Sequence, residues 1–178
     1  MKYKSYRHNP PHLFADRSFY FLTAGTHEKQ QLWFDDDRKR ILFDAIEFWC
    51  EEYRCAIEAW VIFGNHYHLL GRLPKGEDLS TVVRKIHGRS ATLLNKLDRR
   101  PGRQVWWNYW DRCIRDEGDF MAYLRYLLWN PVRHGCVSQP GDYSWSSYWQ
   151  TVDGYELSDM RTKNGALQKH DDSGFDDF

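Results

Sequence analysis

Two histidines one residue apart, His66 and His68, interrupt residues 61–74, VIFGNHYHLLGRLP, a run that otherwise reads as a buried hairpin. On a strand, positions i and i+2 share a face, so the imidazoles project together while Tyr67 and Leu69 point the other way. Paired neutral imidazoles chelate a divalent metal when a third ligand joins them. Without one they are hydrogen-bonded or surface histidines. A second group lies in residues 123–135, YLRYLLWNPVRHG. At 100° per residue, Phe120, Leu124, Leu127 and Leu128 form one apolar stripe. Tyr126 and Asn130, four residues apart, lie together off that stripe, with Tyr123 at its edge. A tyrosine kept for packing belongs on the stripe, so Tyr126 is either an exposed helix residue or a chemical one. Asn130 offers an amide oxygen one turn away.

These residues need elements to position them. Residues 18–25, SFYFLTAG, alternate and are aromatic-rich, as in a strand. Asp35 to Asp37 suit a helix start, and Leu42, Ala45, Ile46, Trp49 and Tyr53 follow at helical spacing. Residues 56–63 read as a strand, Gly64-Asn65 as a two-residue turn, and 66–73 as the returning strand. An amphipathic helix spans about 79–97, with Val82, Val83, Ile86, Ser90, Leu93 and Leu94 inward. Residues 99–104 form a loop and 105–116 an extended stretch. A third helix spans 117–130, where Pro131 is expected to stop it. The order β-α-β-β-α-β plus a helix predicts an α+β, ferredoxin-like (split βαβ) antiparallel sheet. The first two helices share one face, and the tyrosine-bearing helix is additional. Residues 1–150 are expected to form the domain, and 151–178 an acidic, partly disordered tail.

The chain has 178 residues with 25 Lys+Arg and 25 Asp+Glu, so net charge alone argues against a nucleic-acid partner. The distribution argues for one. Between Thr81 and Arg115, nine basic residues face two acidic ones, whereas residues 151–178 carry seven acidic against three basic. A local basic face is what a phosphate backbone responds to. The four cysteines form no CxxC pair, which speaks against a zinc knuckle or a disulfide framework. No apolar run approaches a membrane span, and the N-terminus lacks the apolar core of a signal peptide. A cytoplasmic protein with no membrane partner is expected.

The segments WVIFGNHYHLL, YWDRCIRDEGDF and YLLWNPVRHG, in that order, resemble the Y1 transposases, HUH (His-hydrophobe-His) single-strand DNA enzymes. Within them the chain looks most like the REP-associated tyrosine transposases, over roughly residues 18–148. The resemblance implies that His66 and His68 ligate Mg²⁺ or Mn²⁺, that Tyr126 is the nucleophile and that Asn130 is the third ligand. Insertion-sequence relatives usually carry Gln at that spacing, and an aliphatic residue where Tyr67 stands. It further implies cleavage and rejoining of single-stranded DNA at palindromic hairpins through a 5′-phosphotyrosine, by a monomer or a homodimer. Candidate DNA contacts are Arg72, on the histidine face, and Arg112 and Arg115, flanking the last strand. Arg84, Lys85 and Arg89, on the basic helix, are candidates for the hairpin. Trp107 and Tyr123, with Trp106, Tyr109 and Trp110, could stack on bases. Tyr3 to Arg7 could reach a single-stranded foot. Two rival readings are an RRM-like binding module without catalysis and a metal-dependent phosphoesterase that activates water.

Overall fold

The computed structural model describes residues 2–6 and 9–154, with side chains from residue 15 to residue 153. In chain order the elements are β1 (Lys2–Tyr6), β2 (Asn9–Phe14), β3 (Ser18–Thr26), α1 (Asp36–Glu52), β4 (Ala56–Ile62) and β5 (His66–Leu73). They continue with α2 (Leu79–Leu97), β6 (Trp106–Cys113), α3 (Glu117–Arg133) and α4 (Tyr148–Gly154). Four strands form one sheet in the order β4-β5-β3-β6, every neighbouring pair antiparallel. This is the expected split βαβ arrangement, with α1 joining β3 to β4 and α2 joining β5 to β6.

Local chemistry explains the main boundaries. Asp35 caps α1 by accepting the Arg38 N–H at 2.9 Å, and Asp116 caps α3 by accepting that of Asp119 at 2.9 Å. Each cap pairs an orphan amide of the first helical turn. Gly76 follows β5 where the chain presses on its neighbours. A Cβ there would meet Ala15 N at 2.5 Å and the Tyr20 hydroxyl at 2.6 Å. That hydroxyl is itself fixed, accepting from Ala15 N and donating to Ala15 O.

The sheet separates two cores. On one side Leu22, Tyr67 and Leu69 pack with Leu42 and Ile46 of α1 and with Val82, Val83 and Ile86 of α2. On the other, Phe21, Val61 and Leu70 pack with Leu124, Leu127 and Leu128 of α3 and Val152 of α4. β5 is therefore covered on both faces, and every one of its residues except Arg72 is buried. No described helix is long and apolar enough to cross a membrane.

Four expectations need correction. α3 does not stop at Asn130 but runs through Pro131 to Arg133. Proline removes one N–H from the ladder, yet the turn still closes, with His134 N–H donating to Asn130 O at 2.9 Å. Gly135, at φ +67°, then ends the helix in the left-handed region. Leu93, expected inward, is 39% exposed, because α2 meets α1 and the sheet through the neighbouring stripe. Thr151 and Val152, assigned to an acidic tail, are buried, Val152 in the second core; from residue 155 on that tail lies outside the described residues. The hairpin β1–β2 was not anticipated, since Pro10 and Pro11 disguise β2, and proline is tolerated on edge strands. The candidate foot contact Tyr3 to Arg7 falls outside the described side chains.

His87 of α2 ties this layer to β5. Its ring stacks on Trp106 with centroids 4.4 Å apart, and Nε2 lies 3.1 Å from the Tyr67 hydroxyl. Burial lowers its pKa from 6.5 to about 3. As pH falls below 6.5 the unfolded chain takes up a proton that folded His87 refuses, so stability drops. The expected loss is up to about 1.4 kcal/mol per pH unit from this residue. Denaturant titrations at pH 7 and pH 5 should show a smaller difference for His87→Phe, which keeps the stack. Equal differences would refute this.

Candidate active site

β5 places His66 and His68 on the α3 side and Tyr67 on the α1/α2 side, as strand geometry requires. Both rings are packed like hydrophobes: His66 stacks on Phe63 at 4.5 Å between centroids and His68 on Phe21 at 5.5 Å. Their own centroids are 5.1 Å apart. Each ring is held through Nδ1. Asn65 Oδ1 lies 2.7 Å from His66 Nδ1, and because a carboxamide oxygen only accepts, that nitrogen carries the proton. Thr23, the register partner of His68 on β3, puts Oγ1 2.7 Å from His68 Nδ1. Anchoring at Nδ1 fixes each ring and leaves Nε2 as the ring atom that could coordinate a metal. His68 Nε2 is buried with no hydrogen-bond partner among the described residues. Burial first, then nearby His66, His134 and Arg133, hold the His68 pKa well below 6.5 against the opposing pull of Asn130. The imidazole is therefore neutral at pH 7, the form that ligates metal.

α3 delivers the rest. Tyr126 and Asn130 share the face turned toward the sheet, Tyr126 being 5% exposed and Asn130 0%. Tyr126 is therefore not exposed, and it packs in the second core together with Leu124, Leu127 and Leu128 rather than off their stripe as its spacing suggested. The Tyr126 ring packs edge-on against His68 at 5.7 Å and against Phe21 at 5.7 Å. Asn130 lies close enough to His68 to raise its pKa, yet neither of its amide atoms meets hydrogen-bond geometry with a partner among the described residues. A buried amide without partners costs about 1–3 kcal/mol, so its retention requires an explanation. Two imidazole nitrogens and an amide oxygen, two of these donors orphaned, fit a divalent cation that keeps open positions for a phosphate.

Two residues join the site that the helix pattern alone did not single out. Arg133, seven positions after Tyr126, places its guanidinium 4.8 Å over the Tyr126 ring. His134 lies 5.0 Å from His66 and 4.9 Å from Phe63, centroid to centroid. Spacings of seven and eight from Tyr126 were the available signal. Thr23 gave none, since only strand register brings it to His68.

The candidate DNA contacts scatter. Arg112 is on the site face, 5.8 Å over the Tyr123 ring, and Tyr123 packs on Phe21 at 4.9 Å. Arg115 is exposed just beyond β6. Trp107 is 66% exposed and lies beside His27 at the end of the sheet where His66 sits. Trp106, by contrast, is buried between Trp33 and His87, and so unable to stack on bases. Tyr109 is half-buried on the α1/α2 side and Trp110 half-buried on the α3 side. Arg72 is exposed at the opposite end of β5. Arg84, Lys85 and Arg89 lie on α2, across the sheet from the histidines. There Lys85 covers Trp49 at 4.8 Å and Arg89 covers Phe48 at 4.4 Å. An RRM-like module would present an open sheet, whereas α3 covers this one.

The model of the IS200-like transposase family matches residues 17–112, more than half the chain, and stops before α3. A protein named a REP-associated tyrosine transposase in Haemophilus influenzae is 28% identical over 150 residues. That alignment covers 78% of this chain and 84% of the relative. The REP-associated tyrosine transposase of Escherichia coli is 29% identical over 98 residues, 54% of this chain and 56% of that one. The solved structure of a REP-associated tyrosine transposase bound to a REP hairpin shares the fold, with TM-score 0.71 and 24% identity. It covers 90% of this chain and 91% of its own. The chain thus belongs to the IS200-like family of Y1 tyrosine transposases, DNA-cleaving and DNA-joining enzymes of the HUH type.

Proposed function

We propose that this transposase cleaves and rejoins single-stranded DNA at palindromic hairpins, REP-like elements, by a metal-dependent route through a 5′-phosphotyrosine. The observation that carries this reading is the meeting of Tyr126 with His68 and the orphaned Asn130 amide on one buried face. The hairpin substrate is supported by the relatives' names and by the structural neighbour, which is bound to a REP hairpin.

His66 and His68 would hold the cation through Nε2 and Asn130 through Oδ1. Such a cation supplies Lewis-acid polarisation of the scissile phosphate. The Tyr126 phenol oxygen attacks phosphorus in line with the departing 3′-oxygen. The new bond joins Tyr Oη to the 5′-phosphate, the P–O3′ bond breaks, and the 3′-oxygen leaves with a proton as a hydroxyl. One phosphodiester replaces another, so a 3′-hydroxyl can reverse the exchange and reseal DNA without an external energy source. Arg133 above the phenol ring stabilises negative charge on the ring oxygen and on the transferring phosphate. The packing of Tyr126 against His68 of its own chain supports attack in cis.

The test is covalent capture. The protein should retain hairpin DNA through denaturing electrophoresis in Mn²⁺, lose that ability in excess EDTA, and regain it when Mn²⁺ is restored. An adduct indifferent to EDTA would overturn the metal role. Strand scission with no adduct would favour activated water instead.

A further inference from the structure

At the far end of β5, Arg17, Arg54 and Arg72 converge on one cavity of about 260 Å³, completed by Ala56, Leu73 and Pro74. The three guanidinium groups come from the β2–β3 turn, the α1–β4 turn and the β5 strand. None of them makes an ion pair among the described residues. The neighbouring Asp16 carboxylate is occupied in accepting the Gly76 N–H at 3.1 Å. Arg72 rests over the Phe19 ring at 5.6 Å, which leaves the guanidinium edge available for hydrogen bonds.

The backbone at this cavity is also informative. Arg17 has φ +56° and Arg54 φ +52°, the left-handed region that glycine or asparagine occupies at least cost. Both turns are held by main-chain bonds: Arg17 N–H donates to Pro74 O at 3.1 Å, tying its turn to the end of β5, and Arg54 N–H donates to Glu51 O at 2.9 Å within its own turn. Each turn therefore carries a long cationic side chain where a glycine would fold more easily. Like charges gathered without counter-charge cost folding free energy and are compensated when an anion binds.

We infer that the Arg17–Arg54–Arg72 cavity is a binding site for backbone phosphates of the DNA strand, remote from the phosphate that is cut. This rests on the proposed DNA substrate and extends it to a second contact. Arg72 is on the same strand face as His66 and His68, four residues beyond His68 and six beyond His66. At the rise of a β-strand this is about 13 and 20 Å. A stacked strand advances about 3.4 Å per nucleotide, so the cavity would take phosphates about four to six nucleotides from the scissile one. Guanidinium groups suit this task because their planar forks pair with two phosphate oxygens at once.

The experiment measures binding in EDTA, so it does not depend on strand scission. Hairpin DNA with single-stranded flanks is titrated against the full chain and against Arg17→Gln/Arg54→Gln/Arg72→Gln. A second triple variant, Arg84→Gln/Lys85→Gln/Arg89→Gln, serves as comparison. In the first variant Kd should rise at least about tenfold at 0.1 M salt. The slope of log K against log salt should fall by about 2, as two to three phosphate contacts are lost. The difference from the unchanged chain should vanish on DNA cut to within two nucleotides of the scissile phosphate. Unaltered Kd and slope in the first variant, or a loss confined to the α2 variant, would overturn the inference. Either result would leave the Tyr126 reading standing. Loss of the adduct by Tyr126→Phe bears only on that reading. All three arginines are exposed, so melting temperatures should agree and exclude misfolding.

Discussion

Tyr126→Phe should abolish covalent capture of DNA while leaving the fold in place. On the proposed mechanism this removes the atom that attacks phosphorus, and adduct formation should fall at least about a thousandfold, as loss of a nucleophile does in other covalent enzymes. The stability cost is small because the ring stays. Tyr126 is 5% exposed and its packing rests on ring contacts with Phe21 and His68, both of which phenylalanine retains. Loss of one hydroxyl is worth about 1 kcal/mol or less. The check combines a denaturing gel for the adduct with a melting curve and a DNA titration. An adduct that survives the substitution would remove Tyr126 from the mechanism, and a collapsed melting transition would make its role structural.

Asn130→Leu separates stability from activity in the opposite sense. Leucine keeps the branched outline of asparagine with bulkier ends, and position 130 is fully buried beside an apolar helix stripe. Neither amide atom has a hydrogen-bond partner among the described residues, so replacement removes a desolvation cost of about 1–3 kcal/mol, which offsets the cost of fitting the larger side chain. The variant should be as stable as the unchanged chain or more so, while cleavage in Mn²⁺ falls at least about a hundredfold. A second readout needs no DNA. Mn²⁺ should raise the melting temperature of the unchanged chain, because a ligand bound only by the folded state stabilises it, and should do so much less for Asn130→Leu. Destabilisation together with retained cleavage would mean that Asn130 is a structural amide.

The two substitutions show how unevenly the site was legible. His66 and His68 share a face by the two-residue period of a strand, and Tyr126 and Asn130 by the turn of a helix. Both periods are set by backbone geometry within a few residues and can be read from spacing. The α3 boundary was less legible, since proline usually ends a helix. Here the penalty is one lost hydrogen bond in the last turn, offset by burial of Pro131 and closure at Gly135. Basic residues were the least legible. Arg84, Lys85 and Arg89 stood out as a run, but they sit across the sheet from the histidines. Arg17 and Arg54, scattered in sequence, converge with Arg72 on one cavity.

By itself the sequence determined the order of strands and helices from β3 to α3, the split βαβ class and the two pairs of residues that share a face. These follow from alternation, caps and turns, whose energetics are local. Only the tertiary structure decided that α3 lies over the histidine face, that Arg133 and His134 come with it, and that Thr23 holds His68. It likewise decided that the cations of α2 belong to the opposite layer. Such facts depend on which side of a sheet a helix buries and on strand register, and both are settled by packing between residues far apart in the chain.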